Sequence, residues 1–278
     1  MKAVVRDVSE RRVCSVLAVP RSAMRQATRV GVLRQAVVDE VLAARLARLN
    51  AAHPTYGYRR LWALLRFGEG VRINRKAVYR ALELKGWFVH QRQVTPRPRV
   101  QGRRSRASRS NERWAMDLTH IPCGIDGWAH LAAVIDCHDR ELVGYEFALR
   151  GRAKEAERAL EAACLTRFGT LRPVAATPVV RSDNGLIFQS RRFRAACRDY
   201  HLRQEYITPY TPEQNGMIER FFRSLKEECV WQRSFVSFAE ARRAVRRWIL
   251  WYNEGRPHQA LGYRSPQQYR AARLAEVA

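Results

Sequence analysis

The feature that most constrains this chain is a change of texture near residue 110. Beyond it come three runs with strand composition, Arg113 to Ile121, Trp128 to Asp136 and Leu142 to Leu149, each bounded by Gly, Pro or Asp clusters. Three such runs in succession, joined by short turns, predict an antiparallel meander. Helical texture follows from Ala153 to Phe168, then a buried-looking strand, TPVVRSD, a helix around Ser190 to Tyr200 and a last strand, LRQEYIT. Paired strands followed by alternating helix and strand define an α/β layer in which helices cover a sheet.

The residues ahead of that change are of another kind. Of 51 Lys and Arg against 26 Asp and Glu, residues 1–110 hold 25 basic and 6 acidic side chains, so most of the formal charge of +25 lies in front. A surface so basic repels itself unless a polyanion shares it, and double-stranded DNA is the expected partner. A chain of 278 residues has room for two or three modest domains. Residues 1–48 are expected to be helical, with a candidate first helix-turn-helix: a short helix, a break at Val19-Pro20, and a second basic helix starting near Ser22. Residues 49–90 form the stronger candidate, with a helical run to Phe67, a glycine turn, Asn74 as N-cap and an end before Gly86.

On the second of those helices Arg75, Lys76, Tyr79, Arg80 and Glu83 share one arc, opposite Ala77, Val78, Ala81 and Leu82. One arc packs; the other suits either plain solvent or a DNA major groove, and the net charge favours DNA. Residues 91–110, QRQVTPRPRVQGRRSRASRS, have seven arginines and no acid among Pro, Gly and Ser, and read as a basic linker. Residues 111–278 are left for the α/β core with a helical C-terminal extension. No apolar run approaches a membrane span, and MKAVVRDVSERR lacks the apolar centre of a signal peptide, so a cytoplasmic location is expected. Six scattered cysteines without a C-x-x-C pair argue against a zinc knuckle or a disulfide framework, and for buried thiols.

Three acids in the second half stand out. Asp117 interrupts a strand, where aspartate is disfavoured. Asp183 ends another strand just before Asn184 and Gly185, at the carboxyl edge where α/β sheets place ligand sites. Glu219 opens a helix whose apolar arc is Ile218, Phe221, Phe222, Leu225 and Cys229, and it clusters with Arg223 and Lys226 beside that arc. Taken singly, such acids more often serve turns, caps and helix dipoles. If they converge, their repulsion calls for cations, and oxygen-only donors suit Mg²⁺ or Mn²⁺, two of which would serve an in-line phosphoryl transfer.

Asp117 in W-x-x-D, Asp183 in S-D-N-G, and Glu219 with 35 residues between it and Asp183 resemble the D,D-35-E core of insertion-sequence transposases and retroviral integrases. HPTYGYRRLWALL, QNGMIERFFRSLKEECVW and WYNEGRPHQALGYRSPQQY look like the OrfB-type transposase of the IS-three family, over about residues 10 to 270. The resemblance implies a ribonuclease-H-like integrase core preceded by small all-helical helix-turn-helix modules. It makes Asp117, Asp183 and Glu219 the catalytic, metal-binding acids and Lys226 a contact to DNA near the reacting phosphate. Asn184 and Gly185 would shape the site, while His258 and His120 carry little catalytic weight, the former being expected to pack. The implied activity is cleavage and strand transfer at the ends of a mobile element, by a homo-oligomer on DNA, with an upstream OrfA protein as a partner or fusion. A DNA-occupying regulator and a nuclease for RNA–DNA hybrids are the competing readings. Unlike retroviral integrases, the chain has no His-His-Cys-Cys zinc module ahead of the core.

Overall fold

The structure is a computed structural model that describes residues 9–22, 39–89, 107–172, 177–209 and 211–277. At the front, α1 (Glu10–Val16) starts at Ser9, whose side chain accepts from Arg12 N–H. The expected second front helix, from residue 23 on, and residues 90–106 of the linker lie outside the described residues.

Next come α2 (Glu40–Ala52), α3 (Tyr58–Ala63, continued by a π turn over Leu64–Gly68) and α4 (Arg75–Leu84). Asp39 caps α2 and Asn74 caps α4, each accepting from N–H groups of the first turn that have no partner within the helix. The chain leaves α4 through Gly86 at φ +67°, a conformation that glycine adopts without penalty. Leu42, Leu46, Tyr56, Leu61, Leu65, Val78, Ala81 and Leu82 make one cluster. The division expected at residue 48 therefore needs correction. It falls inside α2, whose Leu42 and Leu46 pack with α3 and α4, so the helical unit extends forward to Asp39.

The sheet contains β1 (Arg113–Pro122), β2 (Trp128–Asp136), β3 (Leu142–Ala148), β4 (Val179–Ser182) and β5 (Arg203–Tyr206), in the order β3-β2-β1-β4-β5. The first three pair antiparallel, whereas β4 joins β1, and β5 joins β4, in parallel. Parallel pairing requires crossovers, supplied by α5 (Ala153–Phe168) between β3 and β4, and by α6 (Leu186–Gln189) and α7 (Arg191–Asp199) between β4 and β5. After β5 come α8 (Gly216–Glu228), α9 (Phe238–Glu254) and α10 (Pro266–Val277).

Strand alternation sorts side chains into two cores. Trp114, Met116, Ala132, Val134 and Val143 pack with Ala156, Ala159, Leu160 and Ala163 of α5 and with Phe193 and Cys197 of α7. Ala115, Ala129, Leu131, Ala133 and Ile135 pack with Ile218, Phe221, Phe222 and Leu225 of α8 and with Trp248, Ile249 and Tyr252 of α9. Each fully buried aromatic or branched side chain contributes about 1.5–3 kcal/mol. The helix α5 lies so close on β3 that a Cβ at Gly144 would meet the Ala159 carbonyl oxygen at 2.3 Å, so this strand position requires glycine. All six cysteines are buried, and burial pushes the Cys164 and Cys197 thiols up to about 12. No helix among the described residues is long and apolar enough to cross a membrane.

Candidate active site

Alternation along β1 decides where Asp117 points. Trp114 and Met116 belong to the core under α5, and Ala115 to the core under α8 and α9, so Asp117, two residues after Ala115, lies on the α8 side. Its register partner on β2 is Ala133. Asp183 follows directly on β4, the parallel neighbour of β1. Glu219 lies in the first turn of α8. The start of α8 is tied to β1 by Asn215, whose Nδ2 donates to the Met116 carbonyl at 3.4 Å.

The three expected acids thus arrive from β1, from the end of β4 and from α8, and Asp117 feels the other two. Burial pushes its carboxyl up to about 7, and the charges of Asp183 and Glu219 push in the same direction. The Leu118 N–H, 2.7 Å from Asp117 Oδ1, and the Lys226 ammonium oppose the shift. Partial desolvation raises the Glu219 carboxyl as well, with Glu213 adding to it. Lys226, on the same helix as Glu219, is thus near enough to act on the Asp117 charge. Arg223 of that helix pairs with Glu227, Nε to Oε1 at 2.7 Å.

Asp183 Oδ1 accepts from Gly185 N–H at 3.0 Å, and a Cβ on Gly185 would come within 2.9 Å of that oxygen. Asn184 bridges outward, its Nδ2 donating to Ile207 O at 3.0 Å while its own carbonyl accepts from Gln189 Nε2 at 2.8 Å. Both neighbours hold the Asp183 loop in shape. Among the described residues no three His, Cys, Asp or Glu side chains are gathered tightly enough to hold an ion. Two carboxylates at 4 Å repel by about 4 kcal/mol at an effective dielectric near 20, so an acid trio in a half-buried setting closes up only around positive charge. The donor set fits a hard divalent cation: it offers carboxylate oxygens alone, and the Asp117 carboxyl is pushed up to about 7 chiefly by burial, with the charges of Asp183 and Glu219 adding to it.

Two positions that hold the site together were not singled out from sequence. Arg181 in β4 is buried, pairs with Glu205 of β5 at 3.1 Å, and donates to the Gln214 carbonyl at 3.2 Å, linking β4 to the loop that leads into α8. Asn215 is the other. A signal existed for Arg181, because a charge inside the buried run TPVVRSD needs a partner. The two weakly weighted histidines are placed elsewhere. His258 is buried edge-on against Tyr252, with ring centroids 4.9 Å apart, and His120 lies with its Nδ1 2.9 Å from that of His130.

The α4 face is built as its periodicity predicts. Arg75, Lys76, Tyr79 and Arg80 are exposed and line an open groove of about 560 Å³ with Tyr58 and Arg59. Arg75 lies over the Trp62 ring at 5.4 Å, and the Tyr58 and Tyr79 rings meet edge to face.

Three adjoining stretches match family models: an HTH-like domain over residues 38–93, and an integrase core domain over residues 107–212 and again over 200–266. Fold and site together define a protein of the integrase-core class with an HTH-like module in front. An insertion element IS476 uncharacterized 39.2 kDa protein of Xanthomonas euvesicatoria is 33% identical over 266 residues, which cover 95% of this chain and 73% of that one. Transposase InsD for insertion element IS2A/D/F/H/I/K of Escherichia coli is 31% identical over 223 residues, covering 78% of this chain and 73% of that one. The chain belongs to this family of insertion-element transposases, in keeping with the OrfB type of the IS-three family. A simian T-cell lymphotropic virus intasome, solved in complex with PP2A regulatory subunit B56 gamma, shares the fold at a TM-score of 0.51 and 18% identity, over 81% of this chain and 74% of that one.

Proposed function

We infer that the chain is a transposase whose Asp117, Asp183 and Glu219 form the catalytic acid set. Its activity is cleavage and strand transfer of DNA, a polynucleotidyl transfer of the integrase-core type. The observation that supports the residue assignment is that Asp117 of β1 lies within the electrostatic reach of Asp183, just past β4, and of Glu219 and Lys226 on α8. Isolated turn or cap acids would not act on one another's charge in this way.

Mg²⁺ or Mn²⁺, two ions in all, would be held by Asp117, Asp183 and Glu219 and would supply an activated hydroxyl and charge neutralisation at the leaving oxygen. Asp117 is fixed by the sheet and by the Leu118 N–H, so it sets the position of the site. Asp183 is aimed by the Gly185 N–H, and Glu219 is carried by the first turn of α8, whose start Asn215 ties to β1. Arg223, once released from Glu227, and Lys226 lie one and two turns along from Glu219, where a scissile strand would pass. Arg75, Lys76, Tyr79 and Arg80 of α4 then hold the element-end duplex, and the basic stretch 91–110 neutralises phosphates between the helical unit of 39–89 and the core of 111–278. The assembly works in the cytoplasm as a homo-oligomer on paired DNA ends, alone or with an upstream OrfA protein.

Incubating the full chain with element-end duplex and Mg²⁺ tests this reading. Nicked and strand-transfer products are expected. DNA binding without products would favour the regulator, and cleavage confined to RNA–DNA hybrids would favour a ribonuclease-H-type enzyme.

A further inference from the structure

The helical unit does not stand apart from the core. The Tyr56 hydroxyl and Trp251 Nε1 of α9 are 3.2 Å apart, and His53 stacks on Trp251 with centroids 5.2 Å apart. Below them Glu228, at the end of α8, is gripped from both sides: Arg60 NH1 at 2.9 Å, Arg256 Nε at 2.8 Å and Arg256 NH2 at 2.6 Å. That single carboxylate joins the two units.

Over this junction opens a groove of about 680 Å³. It receives five arginines from four parts of the chain: Arg59 and Arg60 of α3, Arg140 of the β2–β3 turn, Arg220 of α8, and Arg256. Glu228 engages Arg60 and Arg256. Among the described residues Arg59, Arg140 and Arg220 have no carboxylate partner, and Arg140 takes up its place in a left-handed conformation, φ +61°. The positive field is felt inside the wall. His258 is pushed down to about 2, first by burial and then by Arg256, Arg140 and Arg60, and its Nε2 faces Arg256 NH1 at 3.3 Å.

Two facts point to a polymer rather than a small anion. Tyr58 and Arg59 line this groove and also the groove of α4, so the two basic surfaces run into one another. On the other side Arg220 is the residue directly after Glu219, so the track leads from the α4 face to the helix that carries one of the acids. Grooves lined by arginine follow a phosphate backbone without reading sequence.

We propose that the groove between the helical unit and the core is a DNA-backbone site in which Arg59, Arg140 and Arg220 hold a phosphodiester of the duplex bound by α4. The site fixes the distance between the recognition helix and the acid-bearing helix along one strand. It depends on DNA being the ligand and is independent of the roles given to Asp117, Asp183 and Glu219.

The test compares the full chain with a double variant, Arg140→Asn with Arg220→Gln, asparagine being chosen because it tolerates the left-handed region. Affinity for a random-sequence duplex is measured against KCl concentration. Loss of one phosphate contact lowers the log-log salt slope by about 0.9 and weakens binding on the order of five- to tenfold at 0.1 M salt. Unchanged melting temperature and unchanged Trp fluorescence show that the Tyr56–Trp251 seam is intact. A second arm measures thermal stabilisation by inorganic phosphate. A slope unchanged in the variant overturns the proposal. If phosphate also stabilises the parent chain but not the variant, the groove is a free-phosphate site and the DNA assignment fails. Neither arm involves strand transfer, so neither outcome bears on the acid set.

Discussion

Two groups of three carboxylates each have one member on the paired strands β1 and β2, Asp117 in one group and Asp136 in the other. Asp117 stands opposite Ala133, and Asp136 opposite Trp114, three positions further along β2. The Asp136 group includes Asp139 and Glu141 and is closed. Arg167 of α5, wholly buried, donates to both oxygens of Asp139 at 2.9 Å, lies 3.1 Å from Glu141 Oε2, and reaches Asp136 at 4.0 Å. Asp136 also accepts from the N–H groups of Asn111, His138 and Asp139, and Asp139 from Ser110 Oγ. By contrast Asp117 has one N–H partner and Asp183 one. The residue types are alike, and the supply of donors is what separates them. Acids held by a buried arginine and by several N–H groups lock a turn onto a helix, whereas acids with a single N–H partner keep oxygens that are competent to take a ligand.

The sharpest way to break this comparison is to remove one charge from the open group. Asp183→Asn keeps the shape and can still accept from Gly185 N–H, so the melting temperature and DNA affinity should stay as they are. Strand transfer should fall by at least about a thousandfold, as for other residues that act as a catalytic unit. Retained activity would remove Asp183 from the site. In the closed group the effects should be reversed. Arg167→Ala leaves Asp136 and Asp139 buried without their cation, and Glu141 with only Arg270 at 3.7 Å among the described residues, and should cost about 3–5 kcal/mol of stability in a denaturant titration. A loss below 1 kcal/mol would mean that the cluster is wetter than its burial indicates.

How far the sequence reveals this contrast depends on the scale. The strands, their antiparallel start and the helix 153–168 were legible because local periodicity fixes them, and the ends fall within a residue or two of those expected. The spacing of Asp183 and Glu219 pointed to a family pattern, and Asn74 to a cap, for the same reason. Alternation places Asp117 on the face of Ala115, but that α8 and α9 cover this face is a non-local fact that no window of residues contains. The closed group passed unnoticed because DCHDRE reads as a polar turn; Arg167, 28 residues from Asp139, is what turns it into a buried ion cluster. The reach of α2 into the helical unit was missed likewise, since Leu42 and Leu46 declare their partners only once α4 is folded against them.

A smaller effect should follow from nudging the open group rather than discharging it. Gly185 has φ −64°, so alanine is allowed by the backbone, but its Cβ would press on Asp183 Oδ1. Gly185→Ala is expected to lower strand transfer roughly ten- to a hundredfold, as misplacement on the order of 1 Å can, while changing stability by less than about 1 kcal/mol. Equal activity in the two proteins would show that the Asp183 loop adapts freely, and the distinction between a shaped site and a loose one would go.

The smallest effect separates the closed acids from the arginine seam by pH. Between pH 7 and pH 5 the closed group gives no acid lability through Asp136, since burial and Asp139 raise its pKa and the folded state then binds a proton more readily than the unfolded one. His258 acts in the opposite sense. Its folded pKa is pushed down to about 2, so as pH falls below the unfolded value near 6.5 only the unfolded chain takes up the proton. Stability conferred by neutral His258 is complete above pH 6.5 and declines progressively below it. From pH 7 to pH 5 this amounts to about 2 kcal/mol, with His53 and His130, both also lowered by burial, adding in the same direction. His258→Gln keeps an acceptor for Arg256 and removes the titration, so the denaturation midpoint of the variant should vary less with pH over this range. An identical pH slope in variant and parent would place the acid-labile element outside the seam.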